Sequence, residues 1–212
     1  MQQRPFVPDP AICRLPWYLA CVARLRAEGI EYVSSTAISK QLNVDASQIA
    51  KDLSYLNIKG KTRIGYEVVE LEKGLIDFLG FHECHNAVMM GVGSLGAALI
   101  SDSGLSRYGL NIVAGFDVNP LITGTIVEGR PVYPLESLAT QLPRLKAEIA
   151  IIAVPVEEAA RVARLCVDAG AKALWNFTPF HITAIPGVAI QNTSIYAHLA
   201  LIYNRLKDSN PS

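Results

Sequence analysis

Gly91, Gly93 and Gly96 follow the short apolar run Ala87 to Met90 and precede a helix-forming stretch, giving the spacing GxGxxG between a strand and a helix. Such a turn is built to hold a pyrophosphate. The first glycine permits a tight turn, the second lets the backbone approach the ligand at the positive end of the helix, and the third lets helix and strand pack closely. Gly91, Val92, Gly93, Ser94, Leu95 and Gly96 are therefore candidate cofactor-binding residues. A second anchor lies 26 residues after Gly91, where Asn111 to Phe116 reads as another strand and Asp117 stands at its end. An acidic side chain there accepts hydrogen bonds from an adenosine ribose 2′-hydroxyl and repels a 2′-phosphate, which selects NAD(H) over NADP(H). A competing reading has Asp117 only capping the turn before Asn119 and Pro120.

The elements that position these residues alternate. Ala87–Met90, Ile112–Phe116, Ile149–Val154 and Ala173–Asn176 read as strands, with helices at Gly93–Asp102 and Glu157–Ala169. Alternation of this kind implies parallel strands joined by crossover helices in a doubly wound α/β sheet. Ligands then lie beyond the carboxyl ends of the strands, which adds Val154, Pro155, Asn176 and Phe177 to the candidate cofactor site. The tail carries Ile195, Leu199, Ile202 and Leu206 on one side of a final amphipathic helix, suited to packing on its own domain or on a partner chain.

Before the glycine turn the periodicity is helical. Leu15, Leu19, Val22, Ala23 and Leu25 mark one face of a helix ending at Gly29; Ser35 is placed to cap a second, and Ser47 to open a third with Ile49 and Leu53 inward. Two short helices joined through Asn43, Val44 and Asp45 make a helix-turn-helix, with the later one as recognition helix. The string NIKGKTRIGYEV then sets Gly60 and Gly65 around basic residues, the composition of a β-wing. From Lys40 to Tyr66, five basic residues stand against Asp45 and Asp52, a local charge of +3 within a chain of formal net charge zero. That bias suggests a localised anionic partner, which for a helix-turn-helix is double-stranded DNA. Ser47, Gln48, Lys51 and Tyr55 are candidate groove contacts, and Lys59, Lys61 and Arg63 candidate phosphate contacts. The alternative is a helical cap on an enzyme, with a solvated basic hairpin.

Composition sets the outer limits. At 212 residues and 50% hydrophobic content the chain can build one large or two small cores. It has no apolar run approaching ~20 residues and no hydrophobic core in its first residues, so the expectation is a cytoplasmic protein outside the membrane. Cys13, Cys21, Cys84 and Cys166 have no paired spacing and suit reduced thiols. His82, Cys84 and His85 lack a partner cluster, so they read as a linker and no metal is expected.

Several strings occur together in one order: RLPWY from Arg14, KDLSY from Lys51, GKxxxGY from Gly60, GVGxLG from Gly91, FDV from Phe116, PVY from Pro131, AVP from Ala153 and NFTP from Asn176. On these the chain resembles the Rex family of redox-sensing transcriptional repressors. The resemblance implies an N-terminal winged helix-turn-helix over residues 1–83, a Rossmann NAD(H)-binding domain over 84–190 and an exchanged dimerisation helix over 191–212. It also implies a homodimer on an inverted-repeat operator, closed by NADH so that operator affinity falls. The departures are specific. The family usually has arginine where this chain has Ala50, Arg-Gly where it has Thr62-Arg63, and a nicotinamide-lining phenylalanine where it has Leu105. The arginine, tyrosine and aspartate thought to exchange partners as the dimer opens are replaced by Ala20, Asp102 and Ser194. A weaker redox response is expected, with His198 as the candidate partner for Asp102. Two alternatives stay open: a paralogue with lost or altered switching, and a small NAD-dependent oxidoreductase. For the latter only His181 and His198 are at hand as proton donors, and no catalytic residue is assigned.

Overall fold

The computed structural model describes residues 7–56 and 58–209, and the chain divides into two compact units, Met1–Glu83 and Cys84–Ser212. In the first, α1 (Asp9–Ala27) buries Leu15, Tyr18, Leu19, Val22 and Leu25. α2 (Ser35–Leu42) is capped by Ser34, whose Oγ accepts from the Ala37 N–H at 3.1 Å, so Ser35 is the first helical residue rather than the cap. The chain turns at Asn43 in the left-handed region (φ 53°) into α3 (Ala46–Ser54). Here Asp45 is the cap, its Oδ1 accepting from the N–H groups of Ser47 and Gln48 at 2.7 and 3.2 Å; Ser47 lies in the first turn. A carboxylate also answers the positive helix end better than a hydroxyl does. Ile49 and Leu53 are fully buried.

β1 (Tyr32–Val33) pairs antiparallel with β2 (Tyr66–Glu67) to form a small wing. Its tip closes where the Lys61 N–H donates to the Gly65 carbonyl at 2.7 Å and the Gly65 N–H to the Lys61 carbonyl at 2.9 Å. Gly65 is obligatory on two counts: φ is +107°, and a Cβ would lie 2.4 Å from the Val33 carbonyl oxygen. α4 (Val68–Leu79) closes the unit by burying Val68, Leu71 and Leu75. This is the winged helix-turn-helix.

One polar cluster crosses that core. Asp52 of α3, 1% exposed, takes both Nε and Nη2 of Arg14 at 2.7 and 2.9 Å, the Tyr18 hydroxyl at 2.8 Å and the Gln48 amide at 2.8 Å. Burial opposes ionisation of Asp52, yet these donors overcome it and hold the carboxyl below its ordinary range. Burial, and then the Asp52 charge, push the Tyr18 phenol up to about 12.

The second unit is a seven-stranded sheet in the order β5-β6-β4-β3-β7-β8-β9. Its strands are β3 (His85–Met90), β4 (Leu110–Asp117), β5 (Ile126–Val127), β6 (Arg130–Pro134), β7 (Ile149–Ile152), β8 (Ala173–Asn176) and β9 (Ala189–Asn192). All pairs are parallel except β5 with β6. From β6 to β9 this is the 3-2-1-4-5-6 order of a Rossmann fold, and the direction in which strands are added reverses between β3 and β7. The helices are α5 (Ser94–Ser101), α6 (Ser103–Arg107), α7 (Leu138–Arg144), α8 (Val156–Asp168) and α9 (Ile195–Ser209).

Two boundaries differ from the sequence reading. β9 takes residues 189–192, so a tail starting at 191 cuts a strand, and the terminal helix starts at Ile195. The helix after the glycine turn ends at Ser101, because Asp102 leaves helical geometry and caps the short α6 with its Oδ1 on the Gly104 N–H. On α9, Ile195, Leu199, Ile202 and Leu206 are 38–57% exposed. No described helix is long and apolar enough to cross a membrane.

The Asp52 cluster generates a stability prediction. Removing one partner of a buried ion pair leaves an uncompensated charge, so Asp52→Asn is expected to cost about 3–5 kcal/mol. Because the folded pKa of Asp52 is lowered, its stabilisation is present above the unfolded carboxyl pKa of ~3.9 and is lost as pH falls through the folded value. Circular-dichroism melts from pH 2 to 7 should show wild type losing its advantage over Asp52→Asn only at the acid end. Equal melting temperatures at neutral pH would refute the assignment.

Candidate functional site

At the carboxyl ends of β3, β4 and β7 a cavity of about 450 Å³ opens. Gly91 turns the chain at φ +89°, and a Cβ there would lie 2.7 Å from the Ala153 carbonyl oxygen. Gly96 packs α5 on the strand so closely that a Cβ would lie 2.0 Å from the Gly91 oxygen. Gly93 is different: a Cβ would meet nothing within 4 Å, and the residue faces the cavity. No side chain caps α5, so its first-turn N–H groups are left for an anion or solvent.

Asp117 ends β4 on the same cavity. Its Oδ2 accepts from the Val92 N–H at 2.7 Å, and its Oδ1 from the Asn119 N–H at 2.8 Å. It therefore does cap the turn before Asn119, and it also ties the end of β4 to the glycine turn. Each oxygen keeps lone-pair capacity for a further donor such as a ribose hydroxyl. Val154 and Pro155 line the cavity as the strand-end rule expects.

Other expected residues do not line it. Asn176 is fully buried: its amide donates to the Phe180 carbonyl and Asn192 Oδ1 at 2.6 and 2.9 Å, and its Oδ1 accepts from the Thr178 N–H and hydroxyl at 3.0 and 2.8 Å. With all of those groups used, Asn176 holds the loop after β8 and has nothing left for a ligand. Phe177 tilts against Trp175, with ring centroids 4.7 Å apart, in the apolar cluster that also takes Leu105. Leu105 lines a separate pocket of about 230 Å³ beside Asp102 and Arg130. Ser94 and Leu95 are exposed at the start of α5 without lining the cavity, Val92 is buried behind the turn, and Gly96 serves packing. Sequence reasoning missed Glu158 and Arg161 of α8, and Val118, Asn119 and Ile122 after β4, all on the cavity wall. The readable signal was the i,i+3 spacing of Glu158 and Arg161, one turn into the helix after Pro155.

In the first unit, Ser47, Lys51 and Ser54 form an exposed stripe on α3 at helical spacing, with Ala50 half-buried among them. Gln48 is half-buried and donates one amide N–H to Asp52 at 2.8 Å. Tyr55 is half-buried just past α3. Lys59, Lys61 and Arg63 are exposed on and before the wing; Asn57, which begins that string, lies outside the described residues. Lys61 Nζ donates to the Tyr32 hydroxyl at 3.0 Å, which raises its pKa, and lies 4.0 Å from Glu67. Arg63 holds the wing tip at φ 66°, a left-handed position that glycine adopts more easily.

The positions that depart from the family pattern show local contacts only. Ala20 is exposed, Asp102 caps α6, and the Ser194 Oγ accepts from the Ala197 N–H at 3.2 Å. His198 Nδ1 lies 3.0 Å from the carbonyl oxygen of Ser194, the residue just before α9. Among the described residues no group of three His, Cys, Asp or Glu side chains could hold a metal. His181 is exposed.

Residues 6–54 match a family described as "Putative DNA-binding protein N-terminus", and residues 82–180 match the CoA binding domain family. The chain is 52% identical over 200 residues to the redox-sensing transcriptional repressor Rex of Bacteroides thetaiotaomicron, covering 94% of this chain and 91% of that one. It is 51% identical over 201 residues to the Rex of Porphyromonas gingivalis, covering 95% and 92%. Among solved structures it is similar to RSP in complex with β-NAD⁺ and operator DNA, with a TM-score of 0.91, 30% identity and coverage of 96% and 94%. RSP in complex with β-NADH follows at a TM-score of 0.86, 30% identity and coverage of 96% of both chains. With relatives this similar along nearly its whole length, and with a winged helix joined to a Rossmann sheet, the chain belongs to the Rex family of redox-sensing transcriptional repressors.

Proposed function

We propose that this chain represses transcription by binding an inverted-repeat operator as a homodimer in the cytoplasm, and that NAD(H) in the cavity controls that binding. The observation that carries the reading is Asp117, fixed by the Val92 N–H at the mouth of the glycine turn. It is supported by the similarity to RSP, crystallised with β-NAD⁺ and operator DNA and with β-NADH.

The residues divide the work. Gly91 makes the tight turn with its own N–H donated to the Phe116 carbonyl at 2.8 Å, Gly93 and the uncapped first turn of α5 offer N–H groups and positive potential to the pyrophosphate, and Asp117 accepts from the adenosine ribose. Val154 and Pro155 shape the opposite wall. NADH and NAD⁺ differ in charge and planarity at the nicotinamide ring, and only a difference in their affinity for two dimer states can shift operator binding. In the DNA-binding unit the stripe of Ser47, Lys51 and Ser54 offers the groove face, while Lys59, Lys61 and Arg63 answer phosphates. The exposed apolar face of α9 is the surface a second subunit covers. The relatives are transcriptional repressors, and the ionisable groups on the cavity wall are Asp117, Glu158 and Arg161. Nothing observed favours the oxidoreductase alternative.

Fluorescence anisotropy on promoter fragments from the organism's own genome, with NAD⁺ and NADH in parallel, tests the proposal. The dimer should bind an inverted repeat, and NADH should lower the affinity by less than is usual where the exchanging arginine, tyrosine and aspartate are present. Failure to bind any duplex at low salt would remove the regulator reading.

Two variant sets probe the separate halves. Gly93→Val should weaken NADH binding in calorimetry at least ten-fold with little change in melting temperature, because its side chain enters open cavity space. Gly96→Ala should instead lower the melting temperature by several degrees, because its Cβ meets backbone. Lys61→Ala should weaken binding to all duplexes alike and reduce the slope of log K against log salt by about 0.9 for each phosphate no longer neutralised. A sequence-selective effect would make Lys61 a base reader instead.

A further inference from the structure

The wall of the dinucleotide cavity holds a cation that sequence motifs do not mark. Arg161 lines it from the second turn of α8 and is the one cationic side chain among the described lining residues. Left alone, a guanidinium on the cavity that Asp117 also lines would favour an anionic ligand group such as a 2′-phosphate. It is not left alone. Glu158, three residues earlier and on the same wall, takes both Nε and Nη2 of Arg161 on its Oε2 at 2.6 Å. The ionisable groups lining the cavity are then Asp117, Glu158 and Arg161, a sum of −1, and one edge of the guanidinium is already occupied.

From this pairing we infer that Glu158 is a specificity-determining residue, which withholds Arg161 from the 2′-phosphate of NADP(H) and so reinforces the exclusion begun by Asp117. The inference rests on the NAD(H) reading of the cavity. Its physics is differential. A ribose 2′-hydroxyl is neutral and indifferent to the sum of the wall charges, whereas a 2′-phosphate brings nearly two negative charges at pH 7. Bringing that dianion in requires either breaking the Glu158–Arg161 pair or placing it beside two carboxylates with one engaged cation. Selectivity gained by an unfavourable contact with the wrong ligand does not need a better contact with the right one. Both side chains are about half exposed, so the fold does not hinge on the pair. Its consequence is for the ligand.

Equilibrium titrations of wild type, Glu158→Gln and the double variant Glu158→Gln/Arg161→Gln with NADH and with NADPH decide the matter. Glu158→Gln should move the ratio of NADPH to NADH affinity at least ten-fold toward NADPH, and the shift should shrink as ionic strength rises. The double variant should bring the ratio back close to that of wild type, because the released guanidinium is then gone. NADH binding by each variant reports that it is folded. An unmoved ratio in Glu158→Gln overturns the inference, and so does a gain that persists in the double variant. Failure of wild type to bind NADH at all would instead overturn the cofactor reading, and this inference with it.

Discussion

A carboxylate removed almost wholly from water has to be answered where it stands, and the DNA-binding unit is arranged around that demand at Asp52. Its partners come from two helices. Arg14 and Tyr18 lie one turn apart on α1, and Gln48 one turn before Asp52 on α3, so satisfying the charge fixes the rotation and height of the recognition helix against α1. Apolar contacts between the same helices tolerate sliding, whereas a two-pronged guanidinium on a carboxylate does not. The network leaves Lys51 and Ser54 on the outer face while Ile49 and Leu53 stay in the core. The presentation of the exposed face of α3 is thus set by a polar contact on the other side of the helix.

The Rossmann unit uses a carboxylate for a related purpose with the opposite exposure. Asp117 is half-buried, and it joins the end of β4 to the glycine turn through the Val92 N–H, so two neighbouring strands present their ends as one surface. Gly96 and Gly91 set how close α5 comes to that surface, with no room for a methyl group at either. Gly93 alone faces open space. The three glycines of the spacing therefore divide into two with no room for a side chain and one that borders open cavity space.

What could be read beforehand follows the range of the physics involved. The strand and helix alternation, the glycine turn, Asp117 and the buried positions Ile49 and Leu53 are local patterns and were legible. Asn176 was misplaced because its position at a strand end is visible in sequence, while its bonds to Asn192, sixteen residues on, and to the Phe180 carbonyl are not. β9 escaped for a similar reason: Ala189 to Asn192 has no strong strand signature and is held by pairing with β8. The bond from Gln48 to Asp52 was not legible either, because it depends on how deeply α3 packs against α1. Ser35 and Ser47 failed as caps by one and two residues, since the neighbouring Ser34 and Asp45 supply equivalent oxygens. Glu158 and Arg161 were missed because their spacing is also that of any solvated helical pair; only the cavity beside them gives the pair a role.

The positions that depart from the family pattern share one physical property. Asp102 places one carboxylate oxygen on the Gly104 N–H, Ser194 its hydroxyl oxygen on the Ala197 N–H, and Ala20 has no polar side-chain group. A group that already holds a hydrogen bond inside its own subunit gains less by changing partners when a dimer moves, so it contributes less to the difference between two dimer states. The redox coupling proposed for this chain then draws on other interactions that differ between the states. The available candidates are apolar: the face of α9 with Ile195, Leu199, Ile202 and Leu206, and the cluster of Leu105, Trp175 and Phe177 on the second unit. Packing of that kind favours one arrangement over another by burial of area rather than by exchange of ions, so a coupling built on it is less sensitive to salt and pH than one built on arginine and aspartate. The local caps at Asp102 and Ser194 are in that sense the structural counterpart of the missing exchange partners.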